Sequence, residues 1–169
     1  AIGLLTSQTD AEKIKVQHGI ARTELVHGHQ MVEVPSVGDR PPRQFTRRDI
    51  AEILEPRVEE MFDLVKREIV RAGYEGMLGA GVVITGGTSL LEGMPDAAER
   101  GLNLPARRGM PTGIGGLRDI VSNPMHATGV GLLLHARQHA DNLEAAGIRH
   151  GKGLGKVFDR MRSWMFEFF

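Results

Sequence analysis

The chain has 169 residues, of which 41% are hydrophobic and 25% charged, enough apolar side chain to bury a core as one domain or as two small lobes. Lys plus Arg and Asp plus Glu stand at 21 each, so no global field recruits nucleic acid, and the absence of cysteine removes disulfides and thiolate metal sites and fits a reducing compartment. No stretch approaches the roughly 18 uninterrupted apolar residues of a membrane-spanning helix, and the opening AIGLLTSQTD carries no basic n-region or apolar signal core; an Ala1 set against an apolar run reads as part of a longer protein.

In TSQTDAEKIKVQHG, Thr and Asp precede a segment with Ala11 and Ile14 at helical spacing and Gly19 as a stop, which predicts a helix of about ten residues. Glu12 and Lys15, three apart, share a face of it. On spacing alone they are a solvated ion pair, or a pair projecting together into a cleft. ELVHGHQMVEVPSVG, with Met31, Val32 and Val34 between Gly28 and Gly38, reads as a hairpin or paired strands, and GDRPPRQ as a turn.

FTRRDIAEILEPRVEEMFDLVKREIVRAG predicts the longest helix. Its apolar stripe is Ile50, Leu54, Val58, Met61, Val65 and Ile69, its N-cap Thr46 followed by Asp49, and its left-handed stop Gly73. Pro56 falls inside the pattern and predicts a kink or restart near Glu55. Arg47, Arg48 and Arg57 form either a wet charged face or a basic patch for an acidic partner.

A β-branched run from Val82 to Thr85 then feeds Gly86, Gly87, Thr88 and Ser89, ahead of a helix opened by Gly93, Met94 and Pro95. A double glycine after a strand serves any tight turn. It also leaves backbone amides uncovered, so that a flat ring or a phosphate can approach closely. Leu104 to Arg108 reads as a second short strand, TGIGGLRD as a glycine-rich loop, and NPMHATGVGLLLHARQHA as a helix opened by Asn123 and Pro124, with Val130, Leu133 and Leu134 apolar. The spacings of His27 with His29 and of His135 with His139 suit a metal, but no third ligand lies nearby, and no metal site is assigned to them.

AEKIKVQHG, VVITGGTSLLEGM and NPMHATGVGLLL follow the order and spacing of the carboxyl-terminal half of an actin-like ATPase. With RRDIAEILEPRVEE and an amphipathic tail, the chain resembles, over nearly its whole length, the bacterial cell-division FtsA family more than other actins, Hsp70 proteins or sugar kinases. The resemblance implies an α/β, actin-like (ribonuclease H-like) lobe with an inserted smaller α/β subdomain. Residues 1–5 would end a preceding segment, 6–72 form the smaller nucleotide-facing subdomain, 73–140 the larger one, 141–153 a flexible linker, and 154–169 a terminal amphipathic helix. It implies ATP as the cofactor, with Glu12 and Lys15 approaching the adenosine, Gly86, Gly87 and Thr88 forming the adenosine turn, and Ser89 and Leu90 near the base. The family's two phosphate-gripping hairpins, with their magnesium and water-positioning acids, precede this stretch, and no DxGxxT-like motif occurs within it. A chain with only the adenosine wall is not expected to hydrolyse ATP by itself.

Wound as a helix, GLGKVFDRMRSWMFEFF places Leu154, Val157, Phe158, Met161, Met165, Phe168 and Phe169 at steps of three or four, with Trp164 beside them and the charged residues mostly opposite. That is the pattern of a helix lying in a membrane interface, and equally of a helix packed into its own core or a dimer seam. From residue 150 on, four basic residues against two acidic ones give only mild attraction to anionic lipid. The resemblance favours the membrane. It implies an adaptor that polymerises, holds the carboxyl-terminal peptide of the tubulin-like polymer FtsZ through candidates Arg47, Arg48 and Arg57, and sits on the cytoplasmic side of the cell membrane at the division site. Half of a sugar kinase or Hsp70-type ATPase, its last helix buried, is the rival expectation.

Overall fold

The computed structural model describes residues 1–38, 40–113, 115 and 121–145. Most of the TGIGGLRD loop, the stretch 146–153 and every predicted membrane residue from Leu154 to Phe169 lie outside the described residues.

The first helix, α1 (Gln8–His18), is N-capped by Ser7, whose hydroxyl accepts from the Asp10 amide at 3.1 Å. Gly19 ends it in an extended conformation. A Cβ there would stand 2.3 Å from the Lys15 carbonyl oxygen and 2.7 Å from Leu91 Cδ1, so only glycine fits. A short 3₁₀ turn follows at Thr23–Leu25.

Strand β1 (Met31–Val34) pairs antiparallel with β2 (Arg43–Thr46), Val32 opposite Phe45 and Val34 opposite Arg43. Val32 and Val34 are buried while Met31 and Glu33 face out, the alternation of a half-buried strand. The partner strand lies where the sequence reads as a turn and a helix start. Only Phe45 of its four residues packs against the core, so the segment carries almost no period-two signal.

Thr46 closes β2 and opens α2 (Arg47–Arg71) through a capping box. Its hydroxyl accepts from the Asp49 amide at 3.1 Å, and the Asp49 carboxylate accepts from the Thr46 amide at 2.6 Å. At 25 residues and 1.5 Å rise, α2 is roughly 37 Å long. Pro56 lies within it without ending or restarting it, and Gly73 (φ +76°) follows its C-cap. The buried stripe departs from the expected one: Ile50, Ala51, Val58 and Phe62 are buried and Leu54 and Ile69 half-buried, whereas Met61 and Val65 are exposed. From Val58 a helix permits a step of three or of four, and the step of four brings Phe62 onto Gly101 of the next helix.

Strands β3 (Val82–Ile84) and β4 (Ala106–Arg108) are parallel neighbours joined through α3 (Met94–Leu102), a connection that a parallel pair requires. α3 buries Met94, Ala97, Ala98 and Leu102, and ends on Asn103 in the left-handed conformation. A 3₁₀ turn at Pro124–His126, capped by the Asn123 side chain, leads into α4 (Ala127–Ala145), which continues five residues into the stretch read as a linker.

Ala1–Ala127 form one compact unit, and a second begins at Thr128. Two apolar clusters hold the first unit together. One gathers Leu4, Ile14, Val32, Val34 and Ile50, the other Ala21, Val58, Phe62, Met94, Ala97, Ala98 and Leu102. Because α2 feeds both, residues 6–72 and 73–127 share a core. In the second unit, Val130 is buried and Leu132 and Leu133 are exposed.

Hydrogen bonds hold two carboxylates of α2, Asp49 and Glu55, in their charged forms. Hydrogen bonds from Thr46, the hydroxyl foremost, hold Asp49 below its ordinary 3.8, and the Thr23 hydroxyl, donating at 2.6 Å, is the main cause that holds Glu55 below its ordinary 4.5. Both native forms favour the charged state. Their contribution is therefore full above the unfolded-chain values and lost as pH falls through the lowered native ones. Thermal melts should show the midpoint dropping as pH falls below about 4.5, with a shallower drop in Glu55→Gln. Parallel curves for the two proteins would remove Glu55 from the account.

Candidate functional site

One wall of the candidate site is the last turns of α1. Helical spacing sets Glu12 and Lys15 on one face, where Lys15 Nζ and Glu12 Oε2 are 2.7 Å apart. Val16, Gln17 and Gly19 continue this wall.

The other wall is the turn after β3. Gly86 has φ +88° and ψ 171°, a region essentially reserved for glycine, and Gly87–Leu90 then wind into a 3₁₀ turn. The turn is braced from behind. The Gly86 amide donates to the Pro124 carbonyl at 3.0 Å, the buried Ser89 hydroxyl donates to the Gly86 carbonyl at 2.7 Å, and Arg108 Nε of β4 donates to the Ser89 carbonyl at 2.7 Å.

The walls meet where the Ala21 amide donates to the Glu92 carbonyl at 2.8 Å and Ile20 bridges Glu92. Between them lies a cavity of about 490 Å³, lined by Glu12, Lys15, Val16, Gln17, Gly19, Arg47, Gly87, Thr88, Leu90, Leu91, Glu92 and Met125. Small-molecule sites span about 300–1,000 Å³. A cavity of about 420 Å³ beside Ala1 and Ile2 gathers none of the residues implicated in nucleotide binding.

The cavity's polarity is arranged. Lys15 and Arg47 are the more enclosed partners of their ion pairs, at 34% and 22% side-chain exposure, against 61% for Glu12 and 56% for Glu92. All four side chains line the cavity, the two cations being the more enclosed. Val16, Leu90, Leu91 and Met125 add apolar surface on which a flat ring can lie. Among the described residues no group of three or more His, Cys, Asp or Glu is placed to hold a metal. The rings of His135 and His139, on α4, lie 5.6 Å apart.

Of the residues singled out for nucleotide, the structure brings Glu12, Lys15, Gly87, Thr88 and Leu90 into this one cavity, and sets Gly86 and Ser89 behind it as supports. The three arginines do not share a face. At about 100° per residue, Arg57 lies roughly half a turn round α2 from Arg48. Arg48 and Arg57 are exposed and paired with Glu52 and Glu60 of the same helix, while Arg47 turns into the cavity. Glu92, Val16, Gln17, Leu91 and Met125 were not singled out. A lone Glu or Met after a turn carries no local mark of its role, because the cavity exists only once α1 and the β3 turn have come together.

The model of the family described as "Cell division protein FtsA" matches residues 1–131. The chain is similar to Cell division protein FtsA of Pseudomonas aeruginosa, at 40% identity over 98% of this chain and 41% of that protein. It is similar to that of Escherichia coli at 39% identity, over 95% and 40% respectively, and to that of Neisseria meningitidis at 36%, over 96% and 40%. It thus spans about two fifths of the length of these relatives. No described helix is long and apolar enough to cross a membrane. With a family match across the whole of the first compact unit, and an α/β architecture of the kind an actin-like fold requires, the chain belongs to the FtsA family of cell-division proteins.

Proposed function

We propose that this cell-division protein is an ATP-binding, actin-like adaptor that ties FtsZ filaments to the cytoplasmic face of the cell membrane at the division site. The observation that carries the nucleotide part is the convergence of two separate sequence segments, the Glu12 and Lys15 face and the Gly87 to Leu90 turn, on one cavity. The residues present suit an adenosine. Glu12 accepts and Lys15 donates at its polar edges, apolar side chains flank its plane, and a Cβ built on Gly87 would meet nothing nearer than Met125 Cβ at 3.9 Å, which leaves the turn open for close approach. ATP, when bound, would favour whichever arrangement of the two walls binds it more tightly. Phosphate and magnesium ligands are assigned to the part of the family's length that this chain does not span.

The membrane part rests on the amphipathic pattern of residues 154–169. Eight apolar side chains, partly buried in lipid, contribute about 1 kcal/mol each, against a comparable cost of ordering roughly 15 residues. A single tail therefore binds weakly, and a polymer presenting many tails binds well. Arg48 and Arg57 remain candidates for the acids of the FtsZ peptide. By this reading the chain is not an enzyme by itself.

Vesicles of anionic phospholipid and calorimetric titration with ATP test both parts. The protein should co-sediment with the vesicles, and lacking residues 154–169 it should stay in the supernatant while still binding ATP. Co-sedimentation that survives the truncation removes the membrane anchor, and no heat on titration removes the nucleotide.

A further inference from the structure

Arg47 is the first residue of α2, next to the capping Thr46, yet its side chain leaves the helix and runs along the cavity. Its Nε donates to the His18 carbonyl at 3.1 Å, at the end of α1, and its Nη2 pairs with the Glu92 carboxylate, just past the β3 turn. One planar guanidinium therefore touches both walls at once. It also caps an α1 carbonyl that the end of the helix leaves without an intrahelical partner. Among the described residues, the backbone joins the same walls at Ala21 and Ile20, through Glu92. Glu92 is thus held from the α1 side by its carbonyl and from the α2 side by its carboxylate. A lysine ammonium is a point charge on a flexible stem, whereas the guanidinium fork fixes direction as well as distance.

We propose that Arg47 is a positioning residue, a strap that holds the α1 face carrying Glu12 and Lys15 in register with the Gly87 to Leu90 turn, and so sets the affinity of the cavity's ligand through Glu92. This rests on reading the cavity as a nucleotide site. The strap keeps the walls at one separation before the ligand arrives, so the ligand need not order them. It accounts for an arginine whose side chain leaves α2 while Arg48 and Arg57 stay paired along it, and it assigns Glu92 to Arg47 instead of to the ligand.

Two measurements on the protein test it, one with ligand and one without. In calorimetry with ADP, Arg47→Met and Glu92→Gln should each bind roughly tenfold to hundredfold more weakly, the size of effect that loss of one hydrogen bond to a charged group carries. Arg47→Lys, which keeps the charge beside Glu92 but lacks the fork that also reaches the His18 carbonyl, should recover only part of the loss. The thermal midpoint should follow neither change, since α2 keeps its cap and its core face. In hydrogen exchange without nucleotide, amides at 15–19 and at 87–92 should exchange faster in Arg47→Met than in the unaltered protein, while those of 58–66 keep their rate. Unchanged exchange at both walls overturns the strap. So does unaltered ADP affinity in both variants, or a loss that tracks the thermal midpoint and is not even partly recovered by lysine. If the unaltered protein binds no ADP, the nucleotide reading falls, and with it the affinity claimed here, even where exchange shows the walls loosened.

Discussion

Alanine at Phe62 is expected to lower the unfolding free energy by about 3–5 kcal/mol, a large part of the roughly 5–15 kcal/mol that holds a domain folded. Phe62 is 4% exposed in the cluster shared by α2 and α3, and a Cβ built on Gly101 would lie 2.7 Å from its Cβ, so the helices meet with no slack at this point. Truncation empties a ring-sized volume in a place where two helices and a two-stranded sheet cannot all move in to fill it. Met61→Ala, one residue away on an exposed face, should cost well under half as much. Urea denaturation followed by circular dichroism provides the comparison. Equal losses at 61 and 62 would mean that the buried stripe follows Met61 and Val65, and that the α2 to α3 contact is misassigned.

Leucine at Gly87 should abolish most nucleotide binding, by tenfold or more in dissociation constant, which is at least about 1.4 kcal/mol, and leave stability nearly unchanged. The position has room for a Cβ, with Met125 Cβ 3.9 Å away as its nearest neighbour, and both residues line the cavity. A larger side chain there takes space from the ligand without displacing protein. Gly19→Ala is the opposite case on the facing wall. Its Cβ would meet a backbone oxygen at 2.3 Å, so the end of α1 must shift, and stability and binding should fall together. Melting curves and ATP titrations on the two variants separate these outcomes. If Gly87→Leu binds ATP as the unaltered protein does, the cavity is not the nucleotide site.

The paired outcome shows how unevenly the site could be read. Gly86 and Gly87 announce a special turn because a strand runs straight into them, and Glu12 and Lys15 share a face by spacing alone. Nothing in either segment says that they face each other. Arg47 is the sharper case. Beside Arg48 and near Arg57 it looks like part of one charged run, and only the helix angle and the position of Glu92 split the three apart. The tail that raises the membrane question lies beyond the described residues, so its role rests on its pattern of apolar and basic side chains.

Local chemistry in the sequence determined the helices and the parallel strands. Thr46 and Asp49 form a capping box wherever α2 is placed, Gly73 stops it, and Val82 to Ile84 run β-branched into a double glycine. These features depend on neighbours a few residues away, and such neighbours are present in any conformation. Tertiary structure decided what depends on distant partners. β2 exists because Val32 and Val34 need a paired strand, the buried face of α2 passes through Phe62 because Gly101 lies opposite, and Arg47 turns inward because Glu92 and the His18 carbonyl wait there. The physical reason is that a helical or extended period fixes which residues share a face, while the choice among nearly equivalent faces is made by whatever surface packs against them.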